Sequence, residues 1–545
     1  MGSEADIMVR ETQFLALKFA ALEEKTYLCH AKAYKTNHTM NENISRRDFI
    51  KRSGAATLGM MIVPNTVLGR RFGHTAPSDK LNIAGIGIGG VGRRNLKNMA
   101  TENIVALCDV DWKYADKTFR DYPNARRFKD WRVMFDEMGK SIDAIMVATP
   151  DHTHAGVTAH AMTLGKHVYC QKPLTHSVYE ARLLAKLAKK YKVATQMGNQ
   201  GNSFDWCRRI AEWIWAGEIG EVREVHCWTD RPIWPQGLNL PTEEMPVPGT
   251  LDWDLWLGPA VKRPYHSVYL PWNWRGWYDF GTGALGDMAC HIMDPICWAL
   301  DLGFPTEVEA SSTLSNLYSA PYAEMITYTF PARPKKGKVK MPEVKVVWYD
   351  GGLLPPRPVE LEDGDMMGDE NGGLLFIGTK GKIMAGCYGM NPTLLPKKKM
   401  EGWKEPTPIL RRVPGGTGDI WSTNAHEQDW IRACKESPEN RVEPSSNFQF
   451  SGPFTEMVDM GVIAVRLAGL YGLHRKLKWD GQNMRFTNIS ENDKVKIVNY
   501  DAFQVIDGDP RFDRRFAEFN AREMAEEWIK HTYHNGFTLP DMPKD

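Results

Sequence analysis

The sequence predicts an α/β fold in two parts: a doubly wound parallel sheet up to about residue 198, then a domain with a large open, mostly antiparallel sheet. Three observations carry this. From residue 80, short apolar runs alternate with stretches of helical periodicity, the pattern of a parallel sheet with crossover helices. The first run, LNIAGIGIGGVG at 81–92, turns directly into a Gly-x-Gly-x-x-Gly sequence at Gly87, Gly89 and Gly92. Beyond residue 199 several runs alternate apolar and polar residues, as strands with one covered face do.

In the first part the strand candidates are LNIAGIG, NIVALCD, IDAIMVATP, KHVYCQ and KVATQMG. The spacing predicts helices over 154–164 and 178–191, the second with lysines on its outer face. Gly87 permits a tight turn, Gly89 lets backbone N–H groups approach a pyrophosphate, and Gly92 lets the helix close on the strand. Asp109 ends the second run, 22 residues after Gly87. A carboxylate there accepts hydrogen bonds from the adenosine ribose and repels a 2′-phosphate. No Arg or Lys occupies 110–112, so the pattern favours NAD over NADP; Arg93 and Arg94 are the residues that speak for the phosphorylated cofactor. Residues 79–198 are therefore read as a Rossmann domain.

The second part spans 199–485. A helix is expected over 205–216, then strands in EVREVHCWT, TEVEASSTL, AEMITYTF, VKVVWYD and LLFIGTKGKIMA. Two Pro/Gly/Trp-rich stretches, about 231–275 and 331–372, read as loops over a site or an interface. Helical patterns return at 423–434 and 454–473. Residues 486–545 read as a C-terminal appendage carrying a charged helix, FDRRFAEFNAREMAEEWIKH.

A length of 545 residues allows two or more domains, and a formal charge of +1 gives no electrostatic case for nucleic acid. Nine cysteines without a Cys-x-x-Cys pair argue against a disulfide framework and a structural zinc site. No stretch is apolar enough over the required length to span a bilayer, so stable membrane insertion is not expected. Near the start, NISRRDFIK at 43–51 and the weakly apolar AATLGMMIVPNTVLG after it resemble a twin-arginine export signal, with Arg46 and Arg47 as the pair. Residues 1–78 are thus a leader region, Met40 is the expected true start, and the expected location is the periplasm. If residues 1–39 are genuine, the alternative is the cytoplasm.

Three segments in this order, GxGxxG, then ATPDHTH with GKHVYCQKP at 148–173, then GTGALGDMACHIMDPICWAL at 281–300, resemble the Gfo/Idh/MocA family of oxidoreductases. The resemblance covers about 80–480. It implies a Rossmann domain followed by an α/β domain whose open sheet carries an oligomer contact, a homodimer or homotetramer, with the site between the two. It assigns cofactor contacts to Gly87, Gly89, Gly92, Asp109, Thr149, Pro150, His154, Gln171, Lys172 and Asn199. The family's Glu-Lys-Pro stands here as Gln171, Lys172 and Pro173, so Lys172 inherits contact with the reacting hydroxyl and the cofactor, while Gln171 removes a charge and keeps an acceptor. The family's Asp-x-x-x-His falls on Asp287 and His291.

The residues support that assignment from below. At helical spacing, 287, 291 and 294 lie within about 60° of one another, so Asp287, His291 and Asp294 share a stripe. Pro295 lacks the N–H that would bond the His291 carbonyl, which predicts a bend or an early end. Hydride transfer from a secondary alcohol needs a base, a cation for the developing alkoxide and a dry cleft; His291, Lys172 and Asp287 supply base, cation and orienting carboxylate. PWNWRGWYDF at 271–280, with Trp228, Arg231 and Trp234 upstream, offers indoles for a sugar face and Asn273, Arg275 and Tyr278 for its hydroxyls. Trp272, Trp274, Arg275, Trp277, Tyr278 and Asp294 are the expected substrate residues. His152 and His154 have metal-like spacing but no third ligand, so no metal is expected. His426 at a helix start reads as a capping or packing residue. The expected function is an NAD-dependent oxidoreductase acting on a secondary hydroxyl of a sugar, cyclitol or glycoside, its cofactor tightly bound and recycled in place. Two alternatives stay open: an NAD-dependent glycosidase or lyase working through a transient 3-keto sugar, and a non-catalytic carbohydrate sensor.

Overall fold

The computed structural model describes residues 79–468, 472–473 and 475–544; the expected leader, with its resemblance to a twin-arginine signal, lies outside the described residues. Strands β1 (Asn82–Ile86), β2 (Asn103–Cys108), β3 (Arg126–Phe128), β4 (Ala144–Val147), β5 (His167–Cys170) and β6 (Thr195–Met197) form one sheet in the order β3-β2-β1-β4-β5-β6. Every neighbouring pair in it is parallel. Ala144 to Val147 are buried throughout, as expected of a strand covered on both faces. The crossovers are α1 (Gly90–Asn98), α2 (Trp112–Asp121), α3 (Trp131–Met138), α4 (Asp151–Thr163) and α5 (Val178–Tyr191). Ser177 caps α5 by accepting from the Glu180 N–H, and lysines fill its last turn. The chain starts in the middle of the sheet, builds β2 and β3 to one side and β4 to β6 to the other. That reversal opens a crevice at the carboxyl ends of the central strands.

After α6 (Asp205–Ala216), β7 (Val222–Thr229) enters a second sheet. The stretch from 231 to 282 carries a short helix, α7 (Trp253–Leu257), and an aromatic cluster of its own that includes Trp253, Trp256, Tyr269, Trp277 and Phe280. Helices α8 (Gly283–Ile292) and α9 (Asp294–Leu300) follow, then β8 (Glu307–Ser312), β9 (Glu324–Phe330), β10 (Arg333–Lys336), β11 (Val339–Met341), β12 (Val344–Tyr349), β13 (Gly372–Gly378), β14 (Lys382–Gly386) and β15 (Thr393–Leu395). Helices α10 (Ala425–Cys434) and α11 (Phe448–Ala468) precede β16 (Leu477–Asp480) and β17 (Arg485–Phe486). The nine-stranded sheet has the order β15-β14-β13-β7-β12-β9-β8-β16-β17, with β7 and β12 parallel and the other neighbours antiparallel. One face packs into the main core with α8, α9 and α11. The other carries Trp228, Val347, Tyr349, Leu375 and Met384, partly covered by Leu361 and Met367 from the loop after β12.

Several sequence expectations change here. The stretch 331–372 is not all loop, because β10 and β11 pair within it as a hairpin before β12. The segment LLFIGTKGKIMA folds as two antiparallel strands, turning at 379–381. Helix α11 begins at Phe448, earlier than 454, and holds Pro453 near its start. The charged terminal helix is only half helix. Residues 509–520 form β19 (Asp509–Asn520), paired with β18 (Lys494–Ile506), and α12 (Ala521–Ile529) begins after the Asn520 cap. Alternation decides this: Arg514 pairs across the ribbon with Asp501, and Glu518 with Lys494 and Lys496. Asn520 then takes the Arg522 and Glu523 N–H groups, which fixes where helix begins.

The domains are joined by buried polar contacts. Arg182 on α5 makes a bidentate pair with Glu456 on α11, at 2.9 and 2.6 Å, and Glu456 is fully buried. Trp430 of α10 packs edge-on against Tyr169 of β5.

Candidate active site

The glycine turn between β1 and α1 has the geometry its sequence asks for. Gly87 has φ +74°, and a Cβ there would sit 2.6 Å from Ala148 C and Thr149 N. A Cβ at Gly92 would lie 2.0 Å from the Gly87 carbonyl oxygen, so α1 can seat on β1 only with glycine at that point. A Cβ at Gly89 would meet the Tyr114 ring at 2.2 Å. The first turn of α1 holds no acidic residue and no side-chain cap, which leaves its N–H groups for an anion. Asp109 accepts from the Ile88 N–H at 2.9 Å and the Asp111 N–H at 3.0 Å. Burial pushes its carboxyl up to about 6, against those hydrogen bonds.

Around this turn lies a cleft of about 160 Å³. Its Rossmann wall includes Gly87, Gly89, Asp109, Thr149 and Pro150; its other wall includes Trp256, Trp272, Trp274 and Arg275. These features fit a dinucleotide: glycines that admit no side chain, an open helix N-terminus and a carboxylate at the end of β2.

Beside the cleft sits an ionic cluster. Asp287 Oδ1 accepts from Lys172 Nζ at 2.7 Å and from Arg275 Nε at 2.8 Å, and Lys172 Nζ also donates to the Asp287 carbonyl at 2.7 Å. The three side chains are 13–14% exposed. Burial alone raises the Asp287 pKa, but the charges and hydrogen bonds of Lys172 and Arg275 outweigh it and hold the carboxyl well below the usual carboxylate range. Arg275 is the member that reaches the cleft, its guanidinium 4.2 Å from the Trp272 ring and 4.4 Å from Trp274. His291, one turn beyond Asp287 on α8, is buried, and its Nδ1 has no partner among the described residues. Burial, then the Lys172 charge, push its pKa well below the usual value, with Asp287 opposing. The Tyr388 ring lies 4.7 Å from the imidazole, on a residue with φ +63°. A tyrosine in the left-handed region carries strain that surrounding structure must hold.

Other expected residues sit elsewhere. Asp294 does not share the stripe of Asp287 and His291, because the helix stops at Ile292 and restarts as α9, where Asp294 binds Asn202 Nδ2 at 2.8 Å in full burial. Pro295 supplies the physical reason. His154 does not face the cleft; its two ring nitrogens lie 2.8 Å from the Thr149 and Pro173 carbonyls, tying together the two turns that flank the site. Gln171 is buried, donating to Asn95 Oδ1 at 2.8 Å, and Asn95 in turn donates to Glu427. Asn199 is fully buried, its Nδ2 3.5 Å from the Cys290 carbonyl and its Oδ1 without a partner among the described residues. Trp277 belongs to the aromatic core, and Tyr278 is buried beneath Arg466, whose guanidinium lies 4.3 Å from its ring. Trp228 is a sheet residue, and Trp234 donates to Gln236. Asn273 starts a short 3-10 turn. Trp272 and Trp274 line the cleft beside the glycine turn. His152 lies 3.2 Å from the Trp256 carbonyl; His426 lies 2.6 Å from Ser203 Oγ and 2.8 Å from the Met197 carbonyl.

Sequence reasoning missed Tyr114, Lys129, Trp131, Trp256 and Phe537 as cleft residues. Tyr114 and Trp131 had a signal, since each follows the end of a parallel strand; Phe537 had none.

Fold and cleft define a dinucleotide-binding protein of two α/β domains. Residues 81–199 match the oxidoreductase family with an NAD-binding Rossmann fold, and 221–332 match the C-terminal α/β domain of the same family. Both segments are thus similar to the Gfo/Idh/MocA oxidoreductase family. The chain is similar to the rhizopine catabolism protein MocA of Rhizobium meliloti, 26% identical over 27% of this chain and 47% of the relative. It is similar to levoglucosan dehydrogenase of Pseudarthrobacter phenanthrenivorans, 26% identical over 31% of this chain and 37% of the relative. Inositol 2-dehydrogenase of Salmonella paratyphi B is 25% identical over 26% of this chain and 43% of the relative. The chain thus spans less than half the length of these curated relatives.

Proposed function

We propose that this chain is an NAD-dependent oxidoreductase acting on a secondary hydroxyl of a sugar, cyclitol or glycoside, with a cofactor that stays bound and is recycled in place. The observation that carries the proposal is the Lys172–Asp287–Arg275 cluster, with His291 one turn away, set against the cleft of the glycine turn. The levoglucosan and inositol dehydrogenases among its relatives support this substrate class.

A bound nicotinamide supplies the hydride acceptor. The chain's own residues do the rest. His291 takes the hydroxyl proton, because burial keeps its imidazole neutral where an exposed one would begin to protonate. Lys172 carries positive charge toward the developing alkoxide, held in place by Asp287. Arg275 joins that cluster to the cleft wall and offers its remaining N–H groups to substrate hydroxyls. The Trp272 and Trp274 indoles exclude water and face the flat C–H surface of a sugar ring. The resemblance of 43–51 to a twin-arginine signal supports a periplasmic location, where free NAD is scarce and a retained cofactor has an advantage. The open sheet supports a homo-oligomer.

The direct test is to denature the purified protein, identify the nucleotide it releases, and then screen sugars and cyclitols for a change in the redox state of the bound nicotinamide. The expected result is NAD or NADH in the supernatant and reduction by at least one polyol. If no nucleotide is released and none binds, the reading fails. Aglycone release that requires bound NAD without net NADH would instead select the glycosidase.

The pH profile gives a second check. A depressed folded pKa keeps His291 in its basic form as pH falls through about 6.5, the value of an unperturbed imidazole. The acidic limb of log kcat/KM is therefore expected below that point. A limb at or above it, abolished by His291→Ala, contradicts the neutral-base role.

A further inference from the structure

Beyond α12 the chain does not leave the molecule. Residues 530–544 run from the second domain onto the Rossmann domain and the aromatic stretch, and Phe537 reaches the wall of the dinucleotide cleft. We infer that this segment is a strap over the adenosine half of the cofactor site, with the Phe537 ring walling the adenine slot. The inference rests on the NAD reading above and assigns a binding element to residues outside both matched family segments.

The strap is held along its length. The His531 ring stacks on His176 at 4.7 Å and 17°. Tyr533 Oη donates to Glu180 Oε1 at 2.7 Å, fixing the strap to α5. The His534 N–H donates to the Pro259 carbonyl, and Asn535 Nδ2 lies 2.8 Å from both the Gly258 and the Ala260 carbonyl oxygens. Asn535 has φ +57°, a left-handed turn that asparagine tolerates, and the Phe537 N–H closes it onto the His534 carbonyl. The turn delivers the Phe537 ring to Arg132, whose guanidinium lies 4.6 Å from the ring centroid. Arg132 is itself fixed by Asp130 at 2.6 Å.

Topology says which half of the cofactor this is. The sheet reverses direction at β1, and β2 and β3 lie on the side where Asp109 presents its carboxylate to the adenosine ribose. Phe537 shares the cleft with Val110, Lys129 and Trp131, which follow β2 and β3, and with Val157 of α4. Aromatic and aliphatic walls beside a ribose-binding carboxylate suit a flat purine. Because the strap is anchored on both domains, a dinucleotide beneath it leaves only when the strap lifts.

Phe537→Ala removes the ring from a half-exposed position and leaves the core intact. Asn535→Gly removes both side-chain hydrogen bonds while keeping the left-handed backbone. Nucleotide retained through gel filtration is quantified, and binding of added NAD and of ADP is measured by calorimetry after the resident nucleotide is stripped. Wild type is expected to retain its nucleotide, and both variants to lose it and bind NAD and ADP at least about tenfold more weakly, with melting temperatures near wild type. Wild-type retention and ADP affinity in both variants overturn the strap while leaving the NAD reading standing. A wild-type protein that binds neither ligand removes both. If Phe537→Ala does not fold, Asn535→Gly decides alone.

Discussion

Replacing Lys172 with Met is expected to lower kcat/KM for the proposed sugar, cyclitol or glycoside substrate by about 10³-fold or more while leaving nucleotide bound. The reasoning is electrostatic. Alkoxide character develops as the hydride departs, and a fixed ammonium in a water-poor site stabilises that charge in the transition state far more than in the ground state. Lys172 is the candidate because its amine is held by two oxygens of Asp287, the carbonyl and Oδ1, and so cannot swing away. Arg275 still neutralises Asp287 in the variant, at 2.8 Å, so folding is expected to survive the change. Steady-state kinetics and the released nucleotide report the two halves of this prediction. Activity within about threefold of wild type, with nucleotide bound, rules Lys172 out of the chemistry.

Asp287→Ala is expected to act on stability as well as on turnover. It leaves Lys172 and Arg275, each 13% exposed, facing one another with no counter-charge. Removing one partner of a buried ionic cluster costs roughly 3–5 kcal/mol, because the surviving charges stay desolvated and unpaired. A drop in melting temperature of about 3–5 °C follows for a protein of this size. The sign with pH is fixed too. Asp287 has a depressed folded pKa, so its contribution is present above the unfolded value near 3.9 and is lost as pH falls through the folded one. Unchanged thermal stability in Asp287→Ala means that the cluster is solvated in solution and that the low carboxyl pKa is not realised.

The candidate site was legible in the chain to different depths. Gly87, Gly89 and Asp109 were readable because their requirements are local: a positive φ, a close approach and a strand end. Asp287 and His291 were readable as a spaced pair, and the interruption near Pro295 follows from one missing N–H. Asp294 was misplaced because a stripe drawn on an unbroken helix ignores that same interruption. His154, Trp277 and Tyr278 were assigned to ligand from motif position, yet their rings pack against protein: His154 beside the Thr149 and Pro173 carbonyls, Trp277 in the aromatic core and Tyr278 under Arg466. Residues 512–520 read as helix from their charged composition, while the partner strand that makes their alternation meaningful lies earlier in the chain, at 494–506.

By itself the sequence determined the parallel nucleotide-binding sheet, its glycine turn and the residue types available for proton and charge transfer, since each depends on neighbours within a few positions or on a repeating period. Only the tertiary structure decided which side chains meet: that Arg275 shares Asp287 with Lys172, that Tyr388 lies against His291, and that Phe537 returns to the cofactor cleft. Those pairings join residues far apart in the chain, and the burial and closure that bring them together leave no periodic trace in the order of amino acids.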